Sequence, residues 1–174
     1  MTYFKNTFLL LAFSMMLASC GSESATQTET ASEPETTAAP EQSGILEPVK
    51  WSFMSKSLGD DVFELTMTAN MDDGWSIYSQ HTSDDGPVPT SFEFESENFK
   101  SLSEMEEIGE KKEGMDPLFE VNVIKFTKGP VVFKKKLKVT DYTQPIAGYV
   151  TYMTCDDTRC LPPTDVDFSF KVKH

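Results

Sequence analysis

The chain has 174 residues, 39% hydrophobic and 11% aromatic, which is sufficient for one domain with a core of its own. Its formal net charge of −13, from 28 acidic and 15 basic residues, argues against nucleic acid as a partner, because a phosphate backbone needs a basic surface. Two histidines give little material for a metal site, and we expect neither a bound metal nor another cofactor.

The first 20 residues have the order of an export signal. Lys5 supplies a positive start, and the apolar run from Phe8 to Leu17 is too short to span a bilayer comfortably. The run ends in Leu17-Ala18-Ser19-Cys20, which resembles the lipobox of bacterial lipoproteins. The resemblance implies that residues 1–19 are a signal peptide and that Cys20 is lipidated. An ordinary secretory signal with a cysteine near its cleavage point is the alternative.

Residues 20–47 are expected to form an acidic tether behind the acylated Cys20. From Gly21 onwards this stretch holds six Glu, no basic residue and no aromatic residue. Such a composition cannot bury enough apolar surface to offset the entropy of ordering, so we predict disorder. Gly21, where an inner-membrane retention signal would have Asp, favours the outer membrane. We therefore expect a protein of the cell envelope that is anchored by lipid and faces the periplasm.

Alternation of apolar and polar residues predicts β-strands from about Pro48 onwards. This period of two is typical of half-buried antiparallel strands. The residues that carry it are Trp51 and Phe53; Phe63, Leu65, Met67 and Ala69; Trp75 and Ile77, with Tyr78 on the other face; Phe92 and Phe94; Phe119, Val121 and Val123; Val131, Phe133, Leu137 and Val139; Tyr149 to Met153; and Val166, Phe168, Phe170 and Val172. About seven to nine such runs predict an all-β antiparallel sandwich over residues 48–174.

Two places do not follow the alternation. Phe99, Leu102, Met105 and Ile108 recur at a spacing closer to that of a helix, and the stretch is either a short helix or an irregular strand. Lys135 interrupts the run from Val131 to Val139 with a charge.

The exported domain contains two cysteines, Cys155 and Cys160, separated by four residues. If Asp156 to Arg159 form a hairpin loop, the cysteines face each other at a separation that permits a disulfide. So short a loop gains only about 2 kcal/mol from a bridge, which a domain this rich in aromatic residues does not need. Surface sulfurs are also open to attack by other thiolates. These arguments favour a redox pair over a structural staple, and both remain open.

The neighbours of the cysteines allow other interpretations. Two thiolates together with Met153 would suit a soft ion such as Cu(I), although no histidine lies nearby in the sequence. Arg159, the one arginine of the chain, would stabilise a thiolate at Cys160, whereas two aspartates would oppose ionisation of Cys155. Arg159 is equally well explained as a solvated loop charge.

The arrangement Tyr152-x-x-Cys155-x-x-x-x-Cys160-x-Pro162-Pro163, followed by a strand, resembles the N-terminal periplasmic domain of the DsbD family of thiol:disulfide interchange proteins. The segment Asp73-Gly74-Trp75-Ser76-Ile77-Tyr78-Ser79-Gln80 is similar to a second motif of that family. The likeness extends from about Val49 to Val172. It implies an immunoglobulin-like sandwich.

The resemblance also implies a thiol–disulfide oxidoreductase of the protein-disulfide reductase type. Cys155 and Cys160 would relay electrons from a membrane-embedded DsbD- or CcdA-like donor to periplasmic thioredoxin-like proteins that serve disulfide isomerisation or cytochrome c maturation. Full-length family members continue into a membrane domain, so we expect this chain to act as a stand-alone, monomeric lipoprotein with a separate donor. A non-catalytic binding lipoprotein with an inert disulfide is the rival interpretation.

In this family a cap loop with an aromatic residue shields the cysteines. The segment from Met115 to Glu120 occupies the matching region, which makes Phe119 the cap candidate, with a plain core residue as the alternative. Tyr78 matches a family tyrosine near the site, and a buried sandwich tyrosine is the alternative. Arg159 is the third candidate for lining the site.

Overall fold

The computed structural model describes residues Leu46 to His174. The predicted signal peptide, Cys20 and nearly all of the predicted tether lie outside the described residues. Within them the chain forms twelve strands and no helix, so it has no helix that could cross a membrane. The strands are β1 (Val49–Gly59), β2 (Val62–Met71), β3 (Ser76–Tyr78), β4 (Ser91–Phe94), β5 (Phe99–Ser101), β6 (Glu106–Ile108), β7 (Lys111–Asp116), β8 (Val121–Phe126), β9 (Val131–Val139), β10 (Ile146–Tyr152), β11 (Thr154–Cys155) and β12 (Thr164–Phe170).

The strands form three antiparallel sheets. Sheet A has the order β1-β2-β9-β5, and β6 also pairs with β9. Sheet B has the order β11-β3-β8-β7, and sheet C has the order β12-β10-β4. Because every pairing is antiparallel, the prediction of an all-β antiparallel domain is confirmed.

Sheets A and C enclose the main core and make the sandwich. Trp51 on β1 packs against Tyr152 on β10, with ring centroids 5.5 Å apart. Phe53 on β1 packs in the same way against Phe168 on β12, at 5.8 Å. Aromatic pairs of this kind add about 0.5–1.5 kcal/mol each beyond the area they bury. The alternating aromatic residues read from the sequence therefore hold the two layers together.

The stretch with helix-like spacing consists of two short strands. β5 and β6 pair with opposite ends of β9, so an irregular strand was the correct alternative and the helix was wrong. Lys135 does not interrupt β9, whose ladder runs unbroken along β2. Its ammonium bonds the carbonyl of Ser103 at 3.0 Å and lies 5.8 Å from the centre of the Phe94 ring, which allows a charge at an inward-facing position.

Candidate active site: the cysteine hairpin of sheet B

A disulfide joins Cys155 and Cys160, whose Cα atoms are 4.0 Å apart. The two residues face each other in an antiparallel bridge, as predicted for a loop over Asp156 to Arg159. Only 2% of Cys155 is exposed, whereas Cys160 is partly exposed. The hairpin thus buries one cysteine and leaves the other partly exposed.

The backbone ladder explains why these two positions are so close. The amide of Asp156 donates to the carbonyl of Arg159 at 3.0 Å, and the amide of Leu161 donates to that of Thr154 at 2.9 Å. The cysteines between these bonds are a non-hydrogen-bonded pair, the type in which facing residues approach most closely. The bridge is therefore compatible with the local strand pairing.

The register of sheet B places the cysteines and Tyr78 on one face. Cys155 on β11 lies opposite Ser76 on β3, and Tyr78 follows Ser76 two residues later on β3. Ile77 points the other way, into the main core. Tyr78 and Cys155 instead form a second cluster with Val123. The prediction that Tyr78 and Ile77 lie on opposite faces is confirmed, and Tyr78 lies in the cluster that holds Cys155.

Phe119 packs against the same cluster. It lies in the turn Pro117–Glu120 between β7 and β8, which we call the cap turn. Its ring meets that of Tyr78 edge to face, with centroids 6.1 Å apart. On the far side the loop after β3 comes close, since a Cβ at Gly86 would lie 3.5 Å from the Cβ of Phe119 and 2.7 Å from Cγ2 of Val121. Phe119 is thus a turn residue that lies over a buried tyrosine, and not the start of a strand.

A carboxylate at the end of β7, directly before the cap turn, is buried beside Tyr78. Asp116, 1% exposed, accepts a hydrogen bond from the Tyr78 hydroxyl at 3.3 Å and an ion pair from Lys125 at 2.8 Å. Tyr78 and Lys125 are direct neighbours across β3 and β8, so both reach the same Oδ2. The other oxygen accepts the amide of Leu118 at 3.0 Å. Asp116 therefore fixes the start of the cap turn to the sheet that carries Cys155.

These contacts set the protonation states of Tyr78 and Asp116. Burial raises the pKa of Tyr78, and the charge of Asp116 raises it further, so the phenol stays neutral. Burial alone would raise the pKa of Asp116, but the bonds from Lys125, the Leu118 amide and Tyr78 outweigh it and lower the pKa. At neutral pH Asp116 is therefore an ionised carboxylate held by the Lys125 cation, the Tyr78 hydroxyl and the Leu118 amide. We call the side chains of Tyr78, Asp116 and Lys125 the triad.

The loop between the cysteines is ordered by Asp156. Its Oδ1 accepts the amides of Thr158 at 2.8 Å and Arg159 at 2.9 Å, and the pKa of Asp156 is lowered chiefly by the Thr158 bonds. The Arg159 side chain, 62% exposed, pairs with Oδ2 of Asp156 at 3.4 Å and lies over Trp75 at 5.9 Å. A role for Arg159 in stabilising a thiolate stays a prediction.

A second buried carboxylate fixes the end of β3. The side chain of Glu107 on β6 is 2% exposed and pairs with Lys111 at 2.8 Å. It accepts the Ser79 hydroxyl and, at 3.0 Å, the Gln80 amide. Burial opposes its ionisation, but these bonds outweigh burial and lower its pKa. Gln80 of the second family-like motif thus helps to anchor the strand that presents Tyr78.

A cleft of about 210 Å³ lies beside the hairpin. Its walls include Met115 of β7, Leu118 of the cap turn, Val123 of β8, and Asp156 and Asp157 of the loop between the cysteines. Met115 is 65% exposed and Leu118 40% exposed, so the cleft has exposed apolar surface, and neither cysteine lines it. Among residues 46–174 no group of three or more His, Cys, Asp or Glu side chains is arranged to hold a metal ion.

No protein-family model matches the chain, and no curated protein matches it. Among solved structures, the N-terminal periplasmic domain of ScsB from Proteus mirabilis aligns with a TM-score of 0.49 at 19% identity, over 71% of this chain and 45% of that chain. The DsbD N-terminal domain of Neisseria meningitidis, in its reduced form, aligns with a TM-score of 0.43 at 18% identity, over 75% of this chain and 92% of that one. This chain is similar to them in fold.

The sequence did not reveal three contributors to this site. Lys125 reaches Asp116 across the hairpin of β7 and β8. Gly86 matters because a distant loop comes against Phe119 and Val121. The strand β7 has no apolar alternation to mark it, since five of its six residues are exposed. No local pattern could have indicated these contacts.

Proposed function

We propose that this protein exchanges disulfides with other proteins through the Cys155–Cys160 pair. The observation that carries the proposal is the unequal exposure of the two cysteines within one short hairpin. Cys160 is partly exposed, and Cys155 is buried in a cluster with Tyr78 and Val123. One sulfur open to attack and one protected sulfur behind it suit a pair that forms a mixed disulfide and then resolves it.

Reduction of the pair proceeds in two steps. A thiolate of the electron donor attacks Sγ of Cys160, a donor–Cys160 bond forms, and Cys155 leaves with the electron pair and takes up a proton. The second thiol of the donor then attacks the donor sulfur that is bonded to Cys160, which releases Cys160 as a thiol. Two electrons and two protons have entered this protein, and the donor is left with a disulfide.

Delivery to a client reverses this order. The Cys160 thiolate attacks a client disulfide, and one client sulfur leaves as a thiolate. Cys155 then attacks Cys160, which closes the bridge and frees the second client thiol. In this scheme Cys160 bonds to partners and Cys155 resolves, and the geometry supports this assignment because an attacking group must reach the sulfur along the S–S axis.

The cysteine motif supports a specific setting for this chemistry. By its resemblance to the DsbD N-terminal domain, the donor is a membrane-embedded DsbD- or CcdA-like protein and the clients are periplasmic thioredoxin-like proteins. Lipidation at Cys20, facing the periplasm from the outer membrane or the inner one, would hold the domain near a membrane and raise the effective concentration of a membrane partner. Phe119 and Tyr78 are the proposed cover of the sulfurs.

A redox titration tests the proposal against an inert staple. The protein is equilibrated in thiol–disulfide buffers of graded potential, and free thiols are counted by alkylation and mass spectrometry. An exchanging pair should open at a potential above about −300 mV, in the range of thioredoxin-like proteins. A bridge that stays closed down to lower potentials would contradict the proposal and favour a structural disulfide.

Covalent trapping tests the assignment of the two sulfurs. Cys155→Ser leaves the accessible Cys160 without its resolving partner, so adducts with periplasmic thiol proteins should accumulate. Cys160→Ser leaves only the buried Cys155 and should trap about tenfold less, since attack requires access. Equal trapping by both variants would overturn the assignment but not the exchange itself.

A further inference from the structure

Lysines are concentrated on the outward side of sheet A. This basic face consists of Lys56, Lys100, Lys134, Lys136 and Lys138. It lies opposite the inward residues Phe63, Leu65, Phe133 and Leu137, which fill the core. The chain as a whole has a net charge of −13, so a basic face on it is an uneven distribution of charge.

The strand register explains how the lysines come together. Lys56 and Lys136 lie on either side of Glu64 in one row across β1, β2 and β9. Lys100 lies opposite Lys138 in the next row. Neighbouring positions in one row are about 5 Å apart, so the lysines lie in one area of the face, with Glu64 between Lys56 and Lys136.

Two carboxylates lie on this face among its five lysines, and two more flank it. Glu64 pairs with Lys134 at 3.2 Å, and Glu106 lies opposite Lys134 on β6. Asp60 and Glu104 flank the face from exposed loops. In the described part of the chain no carboxylate forms a salt bridge with the remaining four lysines of the face, all of which are exposed.

Apolar side chains stand singly among the lysines. Met54 is 66% exposed in the row of Lys134, and Ile108 is 43% exposed in the next row. Leu102, 54% exposed, follows β5 beside Lys136, to whose carbonyl its amide donates at 2.9 Å. Three of the seven large apolar side chains that are exposed among residues 46–174 therefore lie on or beside the basic face.

We propose that the basic face binds the surface of an anionic phospholipid membrane. Lysines interspersed with single exposed apolar residues suit the boundary between charged headgroups and acyl chains. The predicted lipidation at Cys20 would keep a membrane within reach. The inference does not depend on the thiol chemistry.

Vesicle binding tests this proposal. The expected mature chain, residues 20–174 with Cys20→Ser, which cannot be acylated at that position, is sedimented with phosphatidylcholine vesicles that contain or lack phosphatidylglycerol. We expect stronger binding to the anionic vesicles. The preference should disappear in about 1 M salt, where the screening length is about 3 Å. Equal binding to both kinds of vesicle would overturn the proposal, and it would also be the result if the face binds an acidic protein.

Two triple variants with the same change of charge locate the surface. Changing Lys56, Lys136 and Lys138 to Gln should lower the partition coefficient into anionic vesicles about 100-fold, since each lysine near such a surface contributes about fivefold. Changing the exposed Lys112, Lys128 and Lys171 to Gln should have a much smaller effect. Equal losses would show that only net charge matters and would refute the basic face.

The rate at which individual lysines are acetylated gives a second measurement. It uses the Cys20→Ser chain with all lysines of the basic face unchanged. Anionic vesicles should slow the labelling of Lys136 and Lys138 about threefold or more and leave Lys128 and Lys171 unchanged. Uniform labelling rates in both kinds of vesicle would contradict the proposed orientation.

Discussion

The hydroxyl of Tyr78 donates a hydrogen bond to Oδ2 of Asp116 across 3.3 Å and so joins the strand β3 to the start of the cap turn. Both residues are buried, and the ring of Tyr78 also meets that of Phe119 in the cap turn. The tyrosine therefore touches Phe119, the proposed cover of the site, and belongs to the cluster that contains Cys155. A change at this hydroxyl should affect the cap before it affects the sandwich.

Tyr78→Phe removes this one bond and keeps the ring. Asp116 retains Lys125 and the Leu118 amide, so we expect the free energy of unfolding to fall by only about 1 kcal/mol. A looser cap turn should let dithiothreitol reduce the disulfide faster. Stopped-flow reduction and urea unfolding measure the two effects.

Tyr142→Phe is the matched control, because its hydroxyl donates to Asp61 at 2.9 Å in a region formed by other loops. It should leave the rate of reduction unchanged. If both variants reduce at the same rate as the unchanged protein, the hydrogen bond has no part in covering the site.

The layered β-fold and the cysteine hairpin could be predicted from the sequence because both follow from local pattern. Alternation marked the buried side of β2, and a four-residue spacing sufficed to place Cys155 opposite Cys160. The opposite orientations of Ile77 and Tyr78 followed from the same period of two.

The support of the site could not be predicted because it depends on contacts between distant segments. Asp116 gains its partners only once β7, β8 and β3 are aligned. The helix-like spacing between Phe99 and Ile108 arises from two separate strands with a break between them, which periodicity cannot distinguish from one element. The basic face likewise appears only when lysines from three strands are brought into register.

Phe119→Ala should expose the disulfide to non-partner thiols. The ring packs edge to face on Tyr78 and against the cluster that contains Cys155, so its loss should loosen the packing next to the disulfide. We expect glutathione to reduce the bridge about tenfold faster, which corresponds to about 1.4 kcal/mol of lost protection. Phe99→Ala, which removes a half-buried ring that packs on Phe94 at the edge of sheet A, is the control for general destabilisation. Equal acceleration by both variants would remove Phe119 from the site.

Reduction of the disulfide should leave the domain folded. The loop it closes is short, so the bridge contributes only about 2 kcal/mol to stability. The aromatic core between sheets A and C does not include either cysteine. Urea unfolding of the oxidised and reduced forms should give two cooperative transitions separated by that amount, and the Cys155→Ser protein should match the reduced form. Loss of all structure on reduction would identify the bridge as a staple.

Incorporation of radioactive palmitate in a bacterial host should depend on Cys20. The sequence around Cys20 resembles a lipobox, and acylation would carry the label into the membrane fraction. Cys20→Ser should abolish labelling, and Cys160→Ser should not change it. A label that persists in Cys20→Ser, or an unlabelled protein that is freely soluble, would refute the predicted anchor.

The lowered pKa of Asp116 predicts a dependence of stability on acid. A carboxyl whose pKa is lower in the folded state than its ordinary value of 3.8 contributes stability that is complete above that value. This contribution is lost as the pH falls through the lower, folded pKa. The free energy of unfolding should therefore fall below about pH 4, and more steeply in the unchanged protein than in Asp116→Asn.

At neutral pH Asp116→Asn should cost about 1–3 kcal/mol, because Lys125 loses the charge it is paired with. Asp141→Asn is the control, since the pKa of Asp141 is also lowered but its carboxylate is exposed and bonded only to Thr143. Urea unfolding from about pH 3 to pH 7 measures all three proteins. If the Asp141 variant flattens the profile as much as the Asp116 variant does, the acid sensitivity does not arise from the triad beneath the cap turn, and Tyr78 would then hold the cap turn without help from a buried charge.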